Sequence, residues 1–474
     1  MRFRHVSIAL LTALSCSPAP QPAGPPGELD WSAVETETLE HFQALLRFNT
    51  SDPPGSEIEA VDYLRTVLER EGIATETFSL EPQRPNLVAR IPGNGSKRPL
   101  LIMGHTDVVN VDTTKWRFPP FSATRDSGYV YGRGAVDDKD NVAAGLMVML
   151  MLKRQQIVLD RDVIFLAESG EEGSVRVGIK YMVENHFPKI DAEYCLAEGG
   201  GVTRIGGQVK FSAVSTREKI PRAIELTARG VAGHGSVPLT TNPIAHLAAA
   251  VARVGAWRAP IQLNETTTEY FRRLAEISTP ERAGHYRGII SGDARRMAAA
   301  DEFFIHKEPR HASMVRTSVS PNIFQAGYRV NVIPSEAKAT LDVRMLAGED
   351  TVAFLETIRG LVNDTAITVA YARRDVRPTT PAADLGAEGF RIVEANLTKH
   401  YNAPVLPVML TGATDMAYVR ARGTQCYGVG PATDAEDGPK GFGAHSDQER
   451  ILESELHRFV KFQWDVVREL AAKQ

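Results

Sequence analysis

The chain has 474 residues, of which 43% are hydrophobic, so it is long and apolar enough to bury more than one core. Its 54 basic and 58 acidic residues leave a net charge of -4, and the basic residues form no concentrated run. This balance argues against nucleic acid or an anionic membrane surface as a partner. We therefore expect two globular domains and a small substrate.

The amino terminus has the pattern of an export signal. Basic residues among the first five positions precede an apolar stretch at 6–14, and Cys16 follows. The end of this segment resembles a bacterial lipoprotein signal (1–16) with Cys16 as the lipidated residue, and an ordinary cleaved signal is the alternative. Residues 17–30, rich in Pro and Gly, read as a flexible tether. We expect an exported protein, either periplasmic or membrane-anchored through Cys16, with secretion as the alternative.

The first region combines helices with short apolar strands. Helical spacing of apolar residues predicts helices at 33–47, 57–71 and 141–155, and apolar runs predict strands at 74–78, 86–91, 99–103, 162–167 and 192–197. Helices alternating with buried strands are typical of an open α/β sheet. Ligands bind such sheets beyond the carboxyl ends of the strands.

The pattern changes near residue 218. Predicted strands at 223–228, 327–333, 337–343 and 367–372, with helices at 243–257 and 351–363, read as a separate α+β unit. We treat 263–317, with helical pieces at 268–276 and 294–303, as an elaboration of that unit. Helices at 386–399 and 454–472 and a strand at 404–410 return to the first style. The predicted division is 31–217 and 375–474 for the first domain and 218–374 for the inserted one.

Five short clusters combine acidic residues, histidine and glycine. They are GHTD (104–107), GRGAVDDK (132–139), SGEEG (169–173), AEGG (197–200) and GAHSDQE (443–449). Three of them follow directly after predicted buried strands. Because the carboxyl ends of neighbouring parallel strands meet at one edge, we expect the clusters to converge there.

Each cluster alone has an ordinary structural explanation, such as a strand-end polar residue, a helix cap or a solvated turn. Together they offer two histidines and several carboxylates, which suit two zinc ions about 3.5–4 Å apart. In SGEEG the two glutamates point in different directions, so one can coordinate while the other stays free as a base. A purely structural calcium or magnesium site is the alternative, but histidine ligands favour zinc. The candidate residues are His105, Asp107, Asp137, Glu171, Glu172, Glu198 and His445.

Two cysteines remain once the signal is excluded. Cys195 and Cys426 both lie in apolar, strand-like stretches. Two cysteines are too few for a disulfide framework, so we expect buried free thiols.

At these clusters the chain resembles the two-zinc exopeptidases and amidohydrolases that include aminoacylase, succinyl-diaminopimelate desuccinylase, glutamate carboxypeptidase and carboxypeptidase S. The resemblance follows motif order and spacing over nearly the whole chain after the signal. It implies a mixed-sheet α/β catalytic domain with helices on both faces, plus an inserted α+β lid or dimerisation domain. It also implies hydrolysis of an amide or peptide bond next to a free carboxylate.

The resemblance also implies roles for single residues. One metal would be held by His105, Asp137 and Glu198, and the other by Asp137, Glu172 and His445, with Asp137 bridging. Zinc is the expected ion, and cobalt or manganese could replace it. Asp107 would orient His105, and Glu171 would be the general base. At the substrate side, the implied residues are His234 for the oxyanion, Asn331 and Arg344 for the carboxylate and nearby polar groups, and Thr414 at another substrate-side position.

His234 would act across a homodimer formed through the inserted domain. The expected substrate is a small peptide or an N-acyl amino acid, and Glu198 favours the acylase and desuccinylase branches. A catalytically silent peptide-binding or scaffold protein on the same fold is the competing hypothesis. Such a protein would be expected to lack Glu171 or Asp137, and both are present.

Overall fold

The computed structural model describes residues 29–373 and 376–473. The predicted signal at 1–16 with Cys16, nearly all of the tether at 17–30, and the domain boundary between 374 and 375 lie outside the described residues. Within the described ranges, no helix is both long and apolar enough to cross a bilayer.

Thirteen α-helices are found in the described residues, and most begin and end within two or three residues of a predicted helix. They are α1 (Trp31–Arg47), α2 (Ile58–Arg70), α3 (Lys139–Gln155), α4 (Ile179–Asn185), α5 (Pro243–Ala256), α6 (Glu265–Glu276), α7 (Pro280–Ile289), α8 (Ala294–Lys307), α9 (Pro309–Met314), α10 (Thr351–Val362), α11 (Glu388–Tyr401), α12 (Met416–Arg420) and α13 (Glu453–Ala471).

The strands alternate with these helices in the first part of the chain. They are β1 (Ala74–Ser79), β2 (Pro85–Ile91), β3 (Leu100–His105), β4 (Thr124–Asp126), β5 (Tyr129–Tyr131), β6 (Val163–Glu168), β7 (Tyr194–Ala197), β8 (Gly201–Ile205), β9 (Gln208–Glu218), β10 (Ile220–Arg229), β11 (Gly233–His234), β12 (Ser318–Ala326), β13 (Val332–Ile333), β14 (Glu336–Met345), β15 (Ile367–Tyr371), β16 (Val405–Leu410), β17 (Gln425–Gly428), β18 (Ala432–Asp434) and β19 (Arg450–Leu452).

A ten-stranded mixed sheet forms the centre of the larger unit. Its order is β1-β2-β6-β3-β7-β17-β9-β8-β18, with β16 paired to β9. The three strands that precede acidic clusters, β6, β3 and β7, are parallel neighbours. Their carboxyl ends therefore lie side by side, as the sequence predicts.

Apolar cores cover both faces of this sheet. On one face, buried residues of α1, α2, α3, α11 and α13 pack together with the sheet. On the other face, α4 and α12 contribute the core. Cys195 and Cys426 are neighbours on β7 and β17, and both are buried and free. Their predicted state is confirmed.

The inserted unit has a sheet and a core of its own. Its four strands run in the order β12-β14-β10-β15, and α5 and α10 pack on one face. The other face carries Pro221, Ala223, Asp342 and Arg344 in paired positions on β10 and β14. These four residues border a cavity whose opposite wall includes Glu171 and Glu172 of the larger unit.

Two features of the inserted segment differ from the predictions. The strand expected at 327–333 is reduced to Val332–Ile333, and the edge strand is instead Ser318–Ala326. Its side chains are mostly exposed and mix polar and apolar types without regular alternation, so no pattern of a half-buried strand marks it. The helices α6 to α9 were expected to elaborate the inserted unit, but they share a core with Leu406, Val408 and Met409 of β16. They therefore pack against the ten-stranded sheet.

Candidate metal centre

Three strand ends deliver the first half of the candidate site. His105 is the last residue of β3, the turn with Glu171 and Glu172 follows β6, and Glu198 follows β7. The turn needs glycine: Gly170 has φ +79°, and a Cβ there would lie 2.6 Å from the carbonyl oxygen of Ser174. Gly170 thus permits the tight turn that contains Glu171 and Glu172.

Asp137 lies between the two histidines. Its Oδ1 is 3.1 Å from His105 Nε2, and its Oδ2 is 3.1 Å from His445 Nε2. The side chain of Glu172 reaches the same place, with Oε1 2.8 Å from His445 Nε2. One carboxylate with an oxygen towards each of two imidazoles has the arrangement of a bridging ligand.

The five predicted ligands fall into two groups of three that share Asp137. In each group the candidate ligand atoms lie within 4.8 Å of one another: His105, Asp137 and Glu198 form one, and Asp137, Glu172 and His445 the other. Helix capping, the alternative for the GRGAVDDK cluster, is not what Asp138 does. Its side chain makes no cap hydrogen bond and accepts from the His105 N–H and the Asn141 amide instead.

Asp107 is fully buried and organises the glutamate turn. Its Oδ1 accepts the backbone N–H of Glu171 at 3.1 Å, and its Oδ2 accepts that of Glu172 at 2.9 Å. The His105 Nδ1 lies 3.0 Å from the carbonyl oxygen of Asp107 and 3.5 Å from its carboxylate. The shorter contact that orients His105 is therefore made by the Asp107 backbone, and the carboxylate mainly holds the turn.

A buried carboxylate that the sequence analysis gave no role brings His445 to the site. Glu449 accepts from the Arg133 guanidinium at 2.6 Å and from the Val136 N–H at 2.9 Å. Arg133 also donates to the Ser446 carbonyl. These contacts tie the loop containing His445 to the segment that precedes Asp137, although more than 300 positions separate them in the chain.

The electrostatics of the centre show an excess of negative charge. Burial, together with the charge of Glu171, raises the pKa of Glu198 well above its usual range. Burial opposes ionisation of Asp137, but hydrogen bonds from His105 and His445 hold its pKa below the ordinary value. Hydrogen bonds to Asp137 and Glu172 raise the pKa of His445 to about 10. This surplus of buried carboxylate suits two divalent cations, so the residues fit the expected ions.

A further buried acidic group already has its cation. Asp52, Glu57 and Asp107 lie close enough together to hold an ion. The Arg84 guanidinium, however, donates to Asp52 at 2.6 Å and to both oxygens of Glu57. Arg84 therefore supplies the positive charge there, and the network supports the glutamate turn, where Gly173 packs against Asp52.

Two cavities open beside the centre. One, of about 660 Å³, lies between the glutamate turn and the inserted unit, and its wall includes Glu171, Glu172 and Arg344. The other, of about 470 Å³, is bordered by Glu198 and by Arg310, which α9 contributes. A substrate can thus approach the predicted ligands from two sides.

Arg377 and Asp415 complete the surroundings of Glu171, and the sequence analysis missed both. Arg377 Nη2 lies 2.6 Å from Glu171 Oε1, and its Nη1 lies 2.8 Å from Asp415 Oδ1. Arg377 belongs to the segment that leads from β15 of the inserted unit back to α11. No local motif marks it, because its partners come from distant parts of the chain.

The predicted substrate-side residues are found in different places. Arg344 faces the larger cavity, and Thr414 is buried, donating to Glu218 at 2.8 Å close to Gly199. His234 and Asn331 are exposed and lie near each other: His234 is in β11, and Asn331 directly precedes β13, the partner strand of β11. Neither borders the two cavities described above. Their roles stay predictions.

A sequence profile described as peptidase family M20/M25/M40 matches residues 101–469. The chain belongs to this family. That confirms the predicted resemblance and places the protein among the metal-dependent hydrolases.

Three M20/M25/M40 relatives show how far the similarity extends. A probable carboxypeptidase S-like protein of Dictyostelium discoideum is 28% identical over 68% of this chain and 62% of its own length. The human N-fatty-acyl-amino acid synthase/hydrolase PM20D1 is 26% identical over 79% of this chain and 74% of its own. The crystal structure of an M20 family metallo-carboxypeptidase, Sso-CP2 from Sulfolobus solfataricus, superposes with a TM-score of 0.68 at 20% identity, covering 91% of this chain and 98% of that one. The shared architecture confirms the predicted fold class.

Proposed function

We propose that this protein is a two-zinc hydrolase that cleaves the amide bond of an N-acyl amino acid or small peptide, next to a free carboxylate. The observation that carries the proposal is Asp137, which presents one oxygen to each of two imidazoles. His105 and Glu198 would complete one metal site, and Glu172 and His445 the other. Zinc bound there would polarise the amide carbonyl and lower the pKa of water.

Glu171 is the proposed general base. It borders the larger cavity next to Glu172 and is not a member of either ligand group. Its carboxylate takes the proton of the attacking water and passes it to the leaving amine. Burial raises the pKa of Glu171 above its ordinary value, and the charge of Arg377 opposes this rise.

Arg344 is the proposed clamp for the substrate carboxylate. It borders the same cavity as Glu171, and only its Nε is used in the ion pair with Asp342. The two terminal nitrogens remain for a bidentate contact. A carboxylate held there would leave the adjacent amide bond directed towards the metal ligands.

The homodimer is a further part of the proposal. His234 is exposed, and so are several large apolar side chains on the same unit, among them Phe324, Tyr328 and Val330. A second copy of the chain would cover this surface and could bring His234 to the partner's site, where it would stabilise the oxyanion. Measuring the mass in solution tests the dimer; a monomer at working concentrations with full activity would contradict it.

Export is proposed on the amino-terminal pattern alone, with Cys16 as the lipid anchor or as part of a cleaved signal. Cell fractionation with mass spectrometry of the mature amino terminus distinguishes the two forms. Retention of the intact segment in the cytoplasm would contradict export.

A substrate panel with metal analysis tests the function. The purified protein is assayed on N-acetyl and N-fatty-acyl amino acids, dipeptides and their carboxyl-amidated forms, with bound metal measured in parallel. We expect about two zinc per chain, turnover of at least one free acid, and little turnover of the amidated forms. No turnover of any compound by metal-loaded protein would contradict the proposal, and calcium or magnesium in place of zinc would support a structural site.

Glu171→Ala separates an enzyme from a silent binding protein. We expect turnover to fall by about 1,000-fold, because a general base contributes roughly that factor, while two metals stay bound. Glu184→Ala, at an exposed glutamate of α4, is the matched control and should leave turnover unchanged. Equal activity of the two variants would contradict the role of Glu171.

A further inference from the structure

Two adjacent glutamates in one turn have different partners. Glu172 Oε1 lies 2.8 Å from His445, within a ligand group. Glu171 Oε1 instead accepts a hydrogen bond from Arg377 at 2.6 Å. Both are carboxylates on the same flexible length of side chain, so nothing in their own chemistry decides which one binds a cation.

Arg377 is held in place by a second carboxylate. Its other terminal nitrogen donates to Asp415 at 2.8 Å, and the side chains of Arg377 and Asp415 are only 13% and 2% exposed. A guanidinium is planar and presents its donors in a rigid fork. Bound to two carboxylates at once, its plane and position are set, and so is the position of the Glu171 oxygen it contacts.

The second carboxylate oxygen of Glu171, Oε2, is available to accept a proton. Among the residues that the structure describes, Oε2 of Glu171 has no hydrogen-bond donor, and the side chain borders the larger cavity. With Oε1 paired, the carboxylate can turn neither towards the ligand groups nor away from the cavity without losing a charge-assisted hydrogen bond.

We propose that Arg377 is a positioning residue that holds Glu171 away from the metal ligands, so that Glu172 coordinates and Glu171 remains the base. The inference rests on the proposed function. It makes the division of labour between the two glutamates a consequence of a residue more than 200 positions away. Without Arg377, the Glu171 carboxylate is free to be drawn to a nearby dication as an additional ligand.

Arg377→Met tests the role, since methionine keeps an unbranched apolar side chain and removes the guanidinium with its charge and donors. We expect kcat to fall by about 100-fold with KM changed less than about threefold, because the base is misplaced while Arg344, the proposed clamp in the same cavity, is unchanged. Arg377→Lys should lose only part of this factor, since one ammonium can pair with Glu171 but cannot bridge to Asp415 in the same geometry. Arg373→Ala, at an exposed arginine of the same segment, is the control and should match the wild type.

Cobalt substitution gives a readout that does not need turnover. The visible spectrum of bound Co²⁺ changes when an oxygen ligand is added. We expect Arg377→Met to alter the spectrum and the double variant Arg377→Met/Glu171→Ala to restore the wild-type form. If the wild type turns over no substrate, the proposed function fails, but the spectra still decide what Arg377 does.

Two results would overturn the inference. One is a wild-type cobalt spectrum together with wild-type kcat in Arg377→Met. The other is a large rise in KM at unchanged kcat, which would make Arg377 a substrate-binding residue. Thermal unfolding checks that each variant is folded. If Arg377→Met does not fold, kcat and the cobalt spectrum are measured on Arg377→Lys instead. An unchanged kcat or an unchanged spectrum in that variant counts against the inference.

Discussion

Replacing Asp107 by Asn should destabilise the protein through the glutamate turn. The wild-type carboxylate is fully buried, and each of its oxygens accepts one backbone N–H, from Glu171 at 3.1 Å and from Glu172 at 2.9 Å. Asparagine has a single accepting oxygen, so its amide group would face the other N–H, donor against donor. One charge-assisted hydrogen bond is lost and one buried N–H is left without an acceptor. Because the two losses overlap, we expect the free energy of unfolding to fall by about 3 kcal/mol.

Urea unfolding followed by circular dichroism measures this change. The buffer contains a chelator, so that metal binding does not contribute to the apparent stability of either protein. Asp112→Asn is the matched control, because the Asp112 carboxylate also accepts a backbone N–H, from Thr114, but is exposed to water. We expect the control to unfold like the wild type. A difference below about 1 kcal/mol between Asp107→Asn and the wild type would refute the reasoning, since the turn would then not depend on the charged acceptor.

Three further outcomes are expected. Arg84→Met should lower the free energy of unfolding by about 3 kcal/mol by leaving two buried carboxylates unpaired, and an unchanged urea midpoint would contradict this. Cys195 and Cys426 should react with a thiol reagent only after unfolding; rapid labelling of the folded protein would contradict their burial. The hydrogen bond to Asp364 raises the pKa of His246, so its contribution to stability is present below the ordinary histidine pKa and is lost as pH rises through the raised value. His246→Gln should therefore lower the melting temperature more at about pH 6 than at about pH 9, and equal effects would count against the pair.

The strand ends of the sheet could be predicted from the sequence because each carries its own signal. Short apolar runs ending in GHTD and ESGEEG predicted both the strands and the edge where His105 and Glu171 are found. The predicted ligand set came from the same local patterns, taken together. The exposed strand Ser318–Ala326 carried no such signal, because neither of its faces is buried in a way that would impose alternation.

Residues that support the site could not be predicted in this way. Arg377, Asp415 and Glu449 contact partners far away in the chain. Glu449 ends the GAHSDQE cluster, but nothing in that cluster points to Arg133 as its partner. The role of Arg377 becomes visible only in the folded structure, where the guanidinium lies between the carboxylates of Glu171 and Asp415.

The packing of α6 to α9 on β16 has a consequence for changing what the protein accepts. This helical segment packs on the sheet that carries the predicted ligands, and its α9 contributes Arg310 to the wall of the cavity beside Glu198. None of the predicted metal ligands or proton-transfer residues belongs to it. Exchanging this segment would therefore change the wall of that cavity without changing any predicted metal ligand or proton-transfer residue.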